Sequence, residues 1–222
     1  MQPTNLTKST DSLLQSGKKN FNYLALGDSY TKGEGVNPVK NYPNQTVDKL
    51  AHFNLIFSPP KIIAETGWTT GELIQSLELD KFGDTVFDWV TLLIGVNNQY
   101  RGQSLTQYEK EFKYLLETAL YLANGKPTHV TVISIPDWAV TRFGNSSGRN
   151  LEKISLEIEA FNKVNYHISQ DFRVHYLEIN KMYRIFGGLE KNLAPDGLHP
   201  STLIYENWAS ELVKIILPQI QH

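Results

Sequence analysis

Five short apolar runs, separated by longer stretches with helical patterning, restrict the fold more than any other feature of this chain. They occupy residues 21–26, 61–64, 89–94, 130–135 and 174–179. The run at 89–94 is almost continuously apolar, which is typical of a strand covered on both faces. Because strands that alternate with helices form a mostly parallel sheet, the pattern predicts an α/β fold.

The stretches between these runs carry apolar residues at helical spacing. Helices are predicted over residues 42–53, 70–77, 151–172 and 201–217, and from residue 104 or 106 to residue 121. Thr70 is expected to cap the second of these helices. Helices on both faces of a parallel sheet predict a three-layer α/β/α sandwich.

The length of 222 residues fits one domain, which we expect to span residues 21–222. Residues 1–20 are predicted to be a polar lead-in with a short helix around residues 12–15. Because this segment lacks the apolar centre of a signal peptide, the sequence predicts a cytoplasmic protein. Removal of an export signal from a periplasmic or secreted protein would leave the same pattern.

The composition narrows the classes of partner. There are 21 Lys and Arg residues against 23 Asp and Glu residues, and no long run has one sign, so nothing points to nucleic acid. No apolar stretch reaches the roughly 18 residues of a membrane-spanning helix. The absence of cysteine excludes a disulfide scaffold and a thiolate nucleophile. The oligomeric state is not indicated.

Four polar segments follow predicted strands or precede the last helix. They are Gly27-Asp28-Ser29, Gly67-Trp68-Thr69-Thr70, Gly95-Val96-Asn97-Asn98 and Pro195-Asp196-Gly197-Leu198-His199-Pro200. The carboxyl ends of parallel strands share one edge, where ligands bind in open α/β sheets. We therefore expect these segments to converge on one site.

In their order and spacing, these four segments resemble the SGNH hydrolases, also called GDSL esterases or lipases. The resemblance extends from residue 21 to the end of the chain and implies a flavodoxin-like, five-stranded parallel sheet. It also implies that Ser29 is the nucleophile, that His199 is its general base and that Asp196 orients the imidazole. The backbone amides of Ser29 and Gly67 and the side chain of Asn97 would form the oxyanion hole.

Elementary chemistry favours the same set. A serine hydroxyl needs a base to take its proton, and an imidazole needs a third group to fix its tautomer. Three of the segments also have a simpler interpretation: Gly27-Asp28-Ser29 as a plain turn, Asp196 and His199 as a helix-entry turn, and Asn97 as an ordinary turn residue. We expect Asp28 to brace the turn before Ser29.

The sequence departs from the family pattern at Asn98, and it contains a second candidate nucleophile, Ser146. The family often has Asp where this chain has Asn98, which leaves the hydrogen bonding around Asn97 open. Ser146 lies in a Gly-x-Ser-x-Gly segment that fits a nucleophile elbow, but the predicted strand stops near Pro136, so no strand leads into it.

The remaining expectations concern the pocket. Tyr30, Trp68, Tyr100 and Trp138 each follow one of the first four predicted strands, and we expect them to form pocket walls. Arg101 and Arg142 are weaker candidates for binding a negative substrate group. The histidines outside the proposed triad lack metal-ligand spacing, so no metal site is expected.

These observations predict a serine esterase that cleaves carboxylic esters through an acyl-enzyme and needs no cofactor. The substrate is expected to be a small acyl ester, with an acetylated sugar and a short-chain lipid both open. The alternative is a catalytically idle domain that binds a small molecule or a carbohydrate on the same fold.

Overall fold

The computed structural model describes residues 20–80, 82–83 and 85–220. In this part of the chain, five strands form one all-parallel sheet. They are β1 (Tyr23–Asp28), β2 (Lys61–Glu65), β3 (Trp89–Leu93), β4 (Val130–Ile133) and β5 (His175–Leu177). Their order across the sheet is β2-β1-β3-β4-β5. The predicted α/β fold with a five-stranded parallel sheet is therefore confirmed.

Helices cover both faces of the sheet. They are α1 (Ser29–Lys32), α2 (Tyr42–Ala51), α3 (Thr70–Leu79), α4 (Val96–Tyr100), α5 (Leu105–Leu122), α6 (Arg142–Ser146), α7 (Leu151–Asp171), α8 (Asn180–Phe186) and α9 (Thr202–Ile220). α2 packs against α9 in one layer, and α5 packs between α3 and α7 in the other. The stripe on α5 is buried as predicted, including Tyr108, Phe112 and Leu115.

The central strands carry the core. Every residue of β1, β3 and β4 is buried, whereas β2 and β5 at the two edges are partly exposed. This burial explains why the central strands are the most continuously apolar. Within the described residues, no helix combines the length and the hydropathy needed to cross a bilayer.

Several predicted boundaries were wrong. β1 continues through Gly27 to Asp28, and residues 138–143, for which no helix was predicted, contain a 3-10 helix (Trp138–Val140) and the start of α6. The short helices α1, α4 and α8 were not predicted, because helices of four to seven residues carry too little periodicity to detect.

The N-cap of α3 is Thr69 rather than Thr70. Thr69 and Glu72 form a capping box, because the Glu72 carboxylate accepts from the Thr69 amide at 2.7 Å. The predicted helix at residues 12–15 lies outside the described residues, and the single-domain boundary stays a prediction.

Candidate active site

Ser29 lies at the carboxyl end of β1, as the first residue of α1. Asp28 is the N-cap of that helix, and its Oδ1 accepts a hydrogen bond from the Tyr30 amide at 3.0 Å. A Cβ on Gly27 would come within 2.2 Å of the Thr31 Oγ1 and 2.3 Å of the Leu93 carbonyl oxygen. Glycine is therefore required where the strand turns into the helix, and this turn presents Ser29.

The Ser29 side chain meets the two residues that the sequence pairs with it. His199 Nε2 lies 2.9 Å from Ser29 Oγ, and His199 Nδ1 lies 2.6 Å from Asp196 Oδ2. The other Asp196 oxygen, Oδ1, accepts from the Leu198 amide at 2.9 Å and from the His199 amide at 3.0 Å. The carboxylate thus fixes the loop and the imidazole together.

The loop that carries these two residues is tightly closed. The Ala194 amide donates to the His199 carbonyl at 2.8 Å, and Leu193 bridges to Pro200. Gly197 has a φ of +72°, a backbone conformation that favours glycine. A Cβ here would also come within 2.5 Å of the Arg142 guanidinium, a flexible side chain that would have to move, so the backbone conformation is the main reason for glycine.

The two carboxylates near Ser29 differ in their electrostatics. Burial raises the pKa of Asp196, but its hydrogen bonds with the His199 ring and with the Leu198 and His199 amides outweigh this, and the pKa is lowered overall. Asp28 is fully buried, and burial raises its pKa to about 7 against the hydrogen bond from Tyr30. Asp196 is therefore the carboxylate suited to hold a charge beside the imidazole.

Two residues predicted to supply oxyanion donors, Gly67 and Asn97, line the same cavity as Ser29. Gly67 has a φ of +86°, and its carbonyl accepts from Arg101 Nη2 at 2.6 Å, while Arg101 Nη1 pairs with Glu72 at 3.1 Å. The Nδ2 of Asn97 donates to the Trp68 carbonyl at 2.9 Å. Each contact restrains the turn after β2, and the second N–H of the Asn97 amide is left for another acceptor.

Asn98 is fully buried and ties the start of α3 to α4. Its Oδ1 accepts from the Thr70 amide at 3.1 Å, and its Nδ2 donates to Thr70 Oγ1 at 2.6 Å and to Gln103 Oε1 at 2.7 Å. The Thr70 hydroxyl also donates to Glu111. An Asp at 98 would accept but not donate, and its charge would face Glu111 through Thr70. Asn98 therefore supplies two donated hydrogen bonds that an ionised Asp at this position could not supply.

A cavity of about 240 Å³ opens beside Ser29 and His199, and Gly67 and Asn97 also line it. Its apolar lining comprises Tyr30, Val96, Tyr100, Trp138, Phe143 and Leu198. Trp68 is not in that lining; it is half-buried and packs against the core. Three of the four aromatic residues expected in the pocket thus lie there.

Trp138 is held in place by three residues for which no role was predicted, although Gln99 directly follows the polar segment after the third predicted strand. Its Nε1 donates to Gln99 Oε1 at 2.8 Å, and Gln99 Nε2 donates to Glu157 at 2.7 Å. Phe143 packs against Trp138 with a ring separation of 6.0 Å. No local pattern marks these residues, because Gln99 and Glu157 lie 58 positions apart on different helices.

The weaker candidates have other partners. Arg142 pairs with Glu190 at 2.7 Å and donates to the Pro195 carbonyl at 2.8 Å, so it braces the loop that carries Asp196. Arg101 donates to the Gly67 carbonyl and pairs with Glu72, as described above. Ser146 ends α6, and its hydroxyl donates to the Phe143 carbonyl at 3.1 Å rather than contacting the imidazole.

A larger cavity of about 730 Å³ lies between α7, β5 and α8, and none of the residues in the Ser29 site lines it. We assign the candidate site to the smaller cavity because the hydrogen-bonded Ser, His and Asp side chains lie there. In the described part of the chain, no three His, Asp or Glu side chains form a group that would hold a metal ion.

The parallel sheet, with a hydrogen-bonded Ser, His and Asp at its carboxyl edge, places the protein in the class of SGNH-type α/β folds. The model of the GDSL-like Lipase/Acylhydrolase family matches residues 25–206. The chain belongs to this family, and the resemblance seen in the sequence is confirmed. No curated protein sequence matches the chain.

Solved structures agree in fold. A lipase/acylhydrolase from Enterococcus faecalis is 21% identical with a TM-score of 0.67, and the match covers 90% of this chain and 96% of that one. An esterase from Pseudoalteromonas sp., inhibited by monoethylphosphonate, is 16% identical with a TM-score of 0.68, covering 91% and 100%. A variant of an acetyl-xylooligosaccharide esterase from Geobacillus is 19% identical with a TM-score of 0.69, covering 90% and 96%.

Proposed function

We propose that this protein is a serine esterase that hydrolyses small carboxylic esters through an acyl-enzyme. The observation that carries the proposal is the continuous hydrogen-bonded chain from Ser29 through His199 to Asp196 at the wall of a cavity. Membership of the GDSL-like Lipase/Acylhydrolase family supports hydrolysis of acyl esters.

In the first half of the reaction, Ser29 Oγ attacks the ester carbonyl carbon and gives its proton to His199 Nε2. The carbonyl oxygen becomes an oxyanion, which the amides of Ser29 and Gly67 and the free N–H of Asn97 stabilise. When this intermediate collapses, the carbon–oxygen bond to the alcohol breaks. The departing alkoxide takes the proton from His199, and the acyl group stays on Ser29.

In the second half, a water molecule gives a proton to His199 and attacks the acyl carbon. The bond to Ser29 Oγ then breaks, Ser29 recovers its proton from His199, and the carboxylic acid leaves. Asp196 stays ionised throughout, because its pKa is lowered, and it stabilises the imidazolium that forms in each half.

The size of the cavity supports a short acyl group. Ligand pockets for drug-sized molecules usually enclose about 300–1,000 Å³, and 240 Å³ falls below that range. Trp138 and Tyr30 are almost completely buried, so the wall they form does not yield without a loss of packing. The substrate that fits this site is an ester whose short acyl group packs against the aromatic side chains of the cavity.

The test is the hydrolysis of p-nitrophenyl acetate, butyrate and octanoate by the wild type, Ser29→Ala and Ser146→Ala. We expect Ser29→Ala to lose activity and Ser146→Ala to keep it, since Ser146 bonds only to a backbone carbonyl. A phosphonate ester, followed by mass spectrometry, should add to Ser29 once per chain. Loss of activity in Ser146→Ala alone would contradict the proposed nucleophile.

Activity on none of the three esters, combined with no phosphonate adduct, would favour the idle binding domain. A phosphonate adduct on Ser29 without turnover of these esters would instead retain the nucleophile and direct the search to other esters.

A further inference from the structure

Arg149 does not line the cavity itself but lies against two of its aromatic residues, and within the described residues no ion pair neutralises its charge. Arg101 pairs with Glu72 and Arg142 pairs with Glu190, so neither of the two arginines suggested by the sequence is free. Arg149 is exposed, and its guanidinium makes one side-chain hydrogen bond, from Nη1 to the Tyr100 carbonyl at 3.0 Å. A guanidinium has five N–H donors, so most of its capacity is left for a ligand.

The position of this guanidinium is set by the aromatic wall of the cavity. Its central carbon lies 4.1 Å from the Tyr100 ring centre and 5.8 Å from the Trp138 ring centre. The two ring centres are 5.4 Å apart, so the three groups form a compact triangle. Both rings line the cavity, and Arg149 therefore occupies the corner beside its wall.

Stacking on two rings favours the binding of an anion by this arginine. A cation above aromatic faces is attracted to them and loses much of its rotational freedom before any ligand arrives. An oxyanion that reaches this corner then meets a planar group that the Tyr100 carbonyl and the two rings already restrain, and that still has free donors. Bonds of this kind are the stronger ones in proteins because both partners are charged.

We propose that Arg149 is a specificity-determining residue that selects esters carrying a carboxylate on the part that lies along Tyr100 and Trp138. This inference rests on the proposed esterase function, and it names the substrate class of that site. The ester carbonyl would lie at Ser29, and the carboxylate would extend past the aromatic wall to the guanidinium.

Two matched ester pairs test the proposal. Mono-p-nitrophenyl succinate and p-nitrophenyl butyrate differ by a carboxylate on the acyl side, and 4-acetoxybenzoate and its methyl ester differ on the alcohol side. In one pair, we expect a higher kcat/KM for the anionic ester. Arg149→Gln should lower kcat/KM for that ester by about 2- to 5-fold and leave its neutral partner unchanged.

Arg149→Lys should retain part of the preference, and about 0.5 M NaCl should weaken it in the wild type. Lys126→Gln is the matched control, since it also removes one exposed positive charge. Lys126 lies before β4, at the amino ends of the strands, whereas the site lies at their carboxyl ends. It should leave both pairs unchanged.

Binding separates this proposal from the esterase function. In calorimetry, Ser29→Ala should bind the anionic ester of one pair more tightly than its neutral partner, and Ser29→Ala with Arg149→Gln should not. That binding result, with a wild type that neither hydrolyses the esters nor forms the phosphonate adduct, would contradict the esterase function and keep the recognition. Equal losses for both members of each pair in Arg149→Gln, or no anionic preference in either pair, would overturn the role of Arg149.

Discussion

His199 Nε2 lies 2.9 Å from Ser29 Oγ, although 170 residues separate the two in the chain. Ser29 is placed by the end of a central strand, and His199 by a closed loop before the last helix. Because each is held by its own backbone, the contact forms when the sheet and α9 are both in place.

Asp196→Asn should lower kcat by about 10³–10⁴-fold while the protein stays folded. An amide at 196 still bonds to the loop, but it does not stabilise an imidazolium as a carboxylate does. The measurement is ester hydrolysis together with the circular dichroism spectrum and the melting temperature. A folded Asp196→Asn protein with nearly wild-type kcat would contradict the role of this carboxylate.

Asn97→Ala should lower kcat by about 10²–10³-fold through the loss of an oxyanion donor. KM should change little, because the donor acts mainly on the charge that develops in the transition state. The loss of its bond to Trp68 is expected to cost little stability, since Asn97 is only half-buried.

Asn98→Ala is the contrasting variant. It removes three hydrogen bonds from a fully buried side chain and leaves Gln103 and Thr70 without partners for them. We expect a loss of roughly 2–4 kcal/mol in the free energy of unfolding. Urea unfolding and kcat for both variants would test the pair, and a larger stability loss in Asn97→Ala would reverse the assignment.

Asp28→Asn should flatten the dependence of stability on pH. The pKa of Asp28 is about 7 in the folded protein and near 4 in an unfolded chain, so the folded state binds the proton more tightly between these values. Stability therefore falls as pH rises through this window, by up to about 4 kcal/mol.

The neutral amide of Asp28→Asn still accepts the bond from Tyr30 and does not titrate. Urea unfolding at pH 5 and pH 8 should show a smaller difference between the two pH values in the variant than in the wild type. Equal differences would show that burial does not raise the pKa of Asp28.

Tyr100→Ala should widen the range of acyl chains. Tyr100 lines the cavity and is 39% exposed. Its truncation therefore enlarges the cavity and removes little buried apolar packing. We expect the ratio of kcat/KM for octanoate to that for acetate to rise about tenfold in the variant. Leu105→Ala, at an equally exposed position outside this cavity, should leave the ratio unchanged. An unchanged ratio in Tyr100→Ala would show that this side chain does not limit the acyl group.

Much of the fold could be predicted from the sequence, because the spacing of apolar residues along the chain shows which local segments form buried strands and which form helices. The central strands are apolar throughout since helices cover both of their faces, and the stripe of α5 repeats at helical spacing. The short helices α1 and α4, which begin right after strands, could not be predicted, because a turn of helix contains too few residues to show a period.

The site divides in the same way. The sequence by itself indicated which side chains could act at the site: Ser29 and Asn97 shortly after strands, and Asp196 and His199 before the last helix. Only the tertiary structure decided which arginines form ion pairs. Arg101 and Arg142 pair with carboxylates, whereas Arg149 lies against the rings of Tyr100 and Trp138. The physical reason is that an ion pair depends on distance in space, and the partners come from helices and loops far apart in the chain.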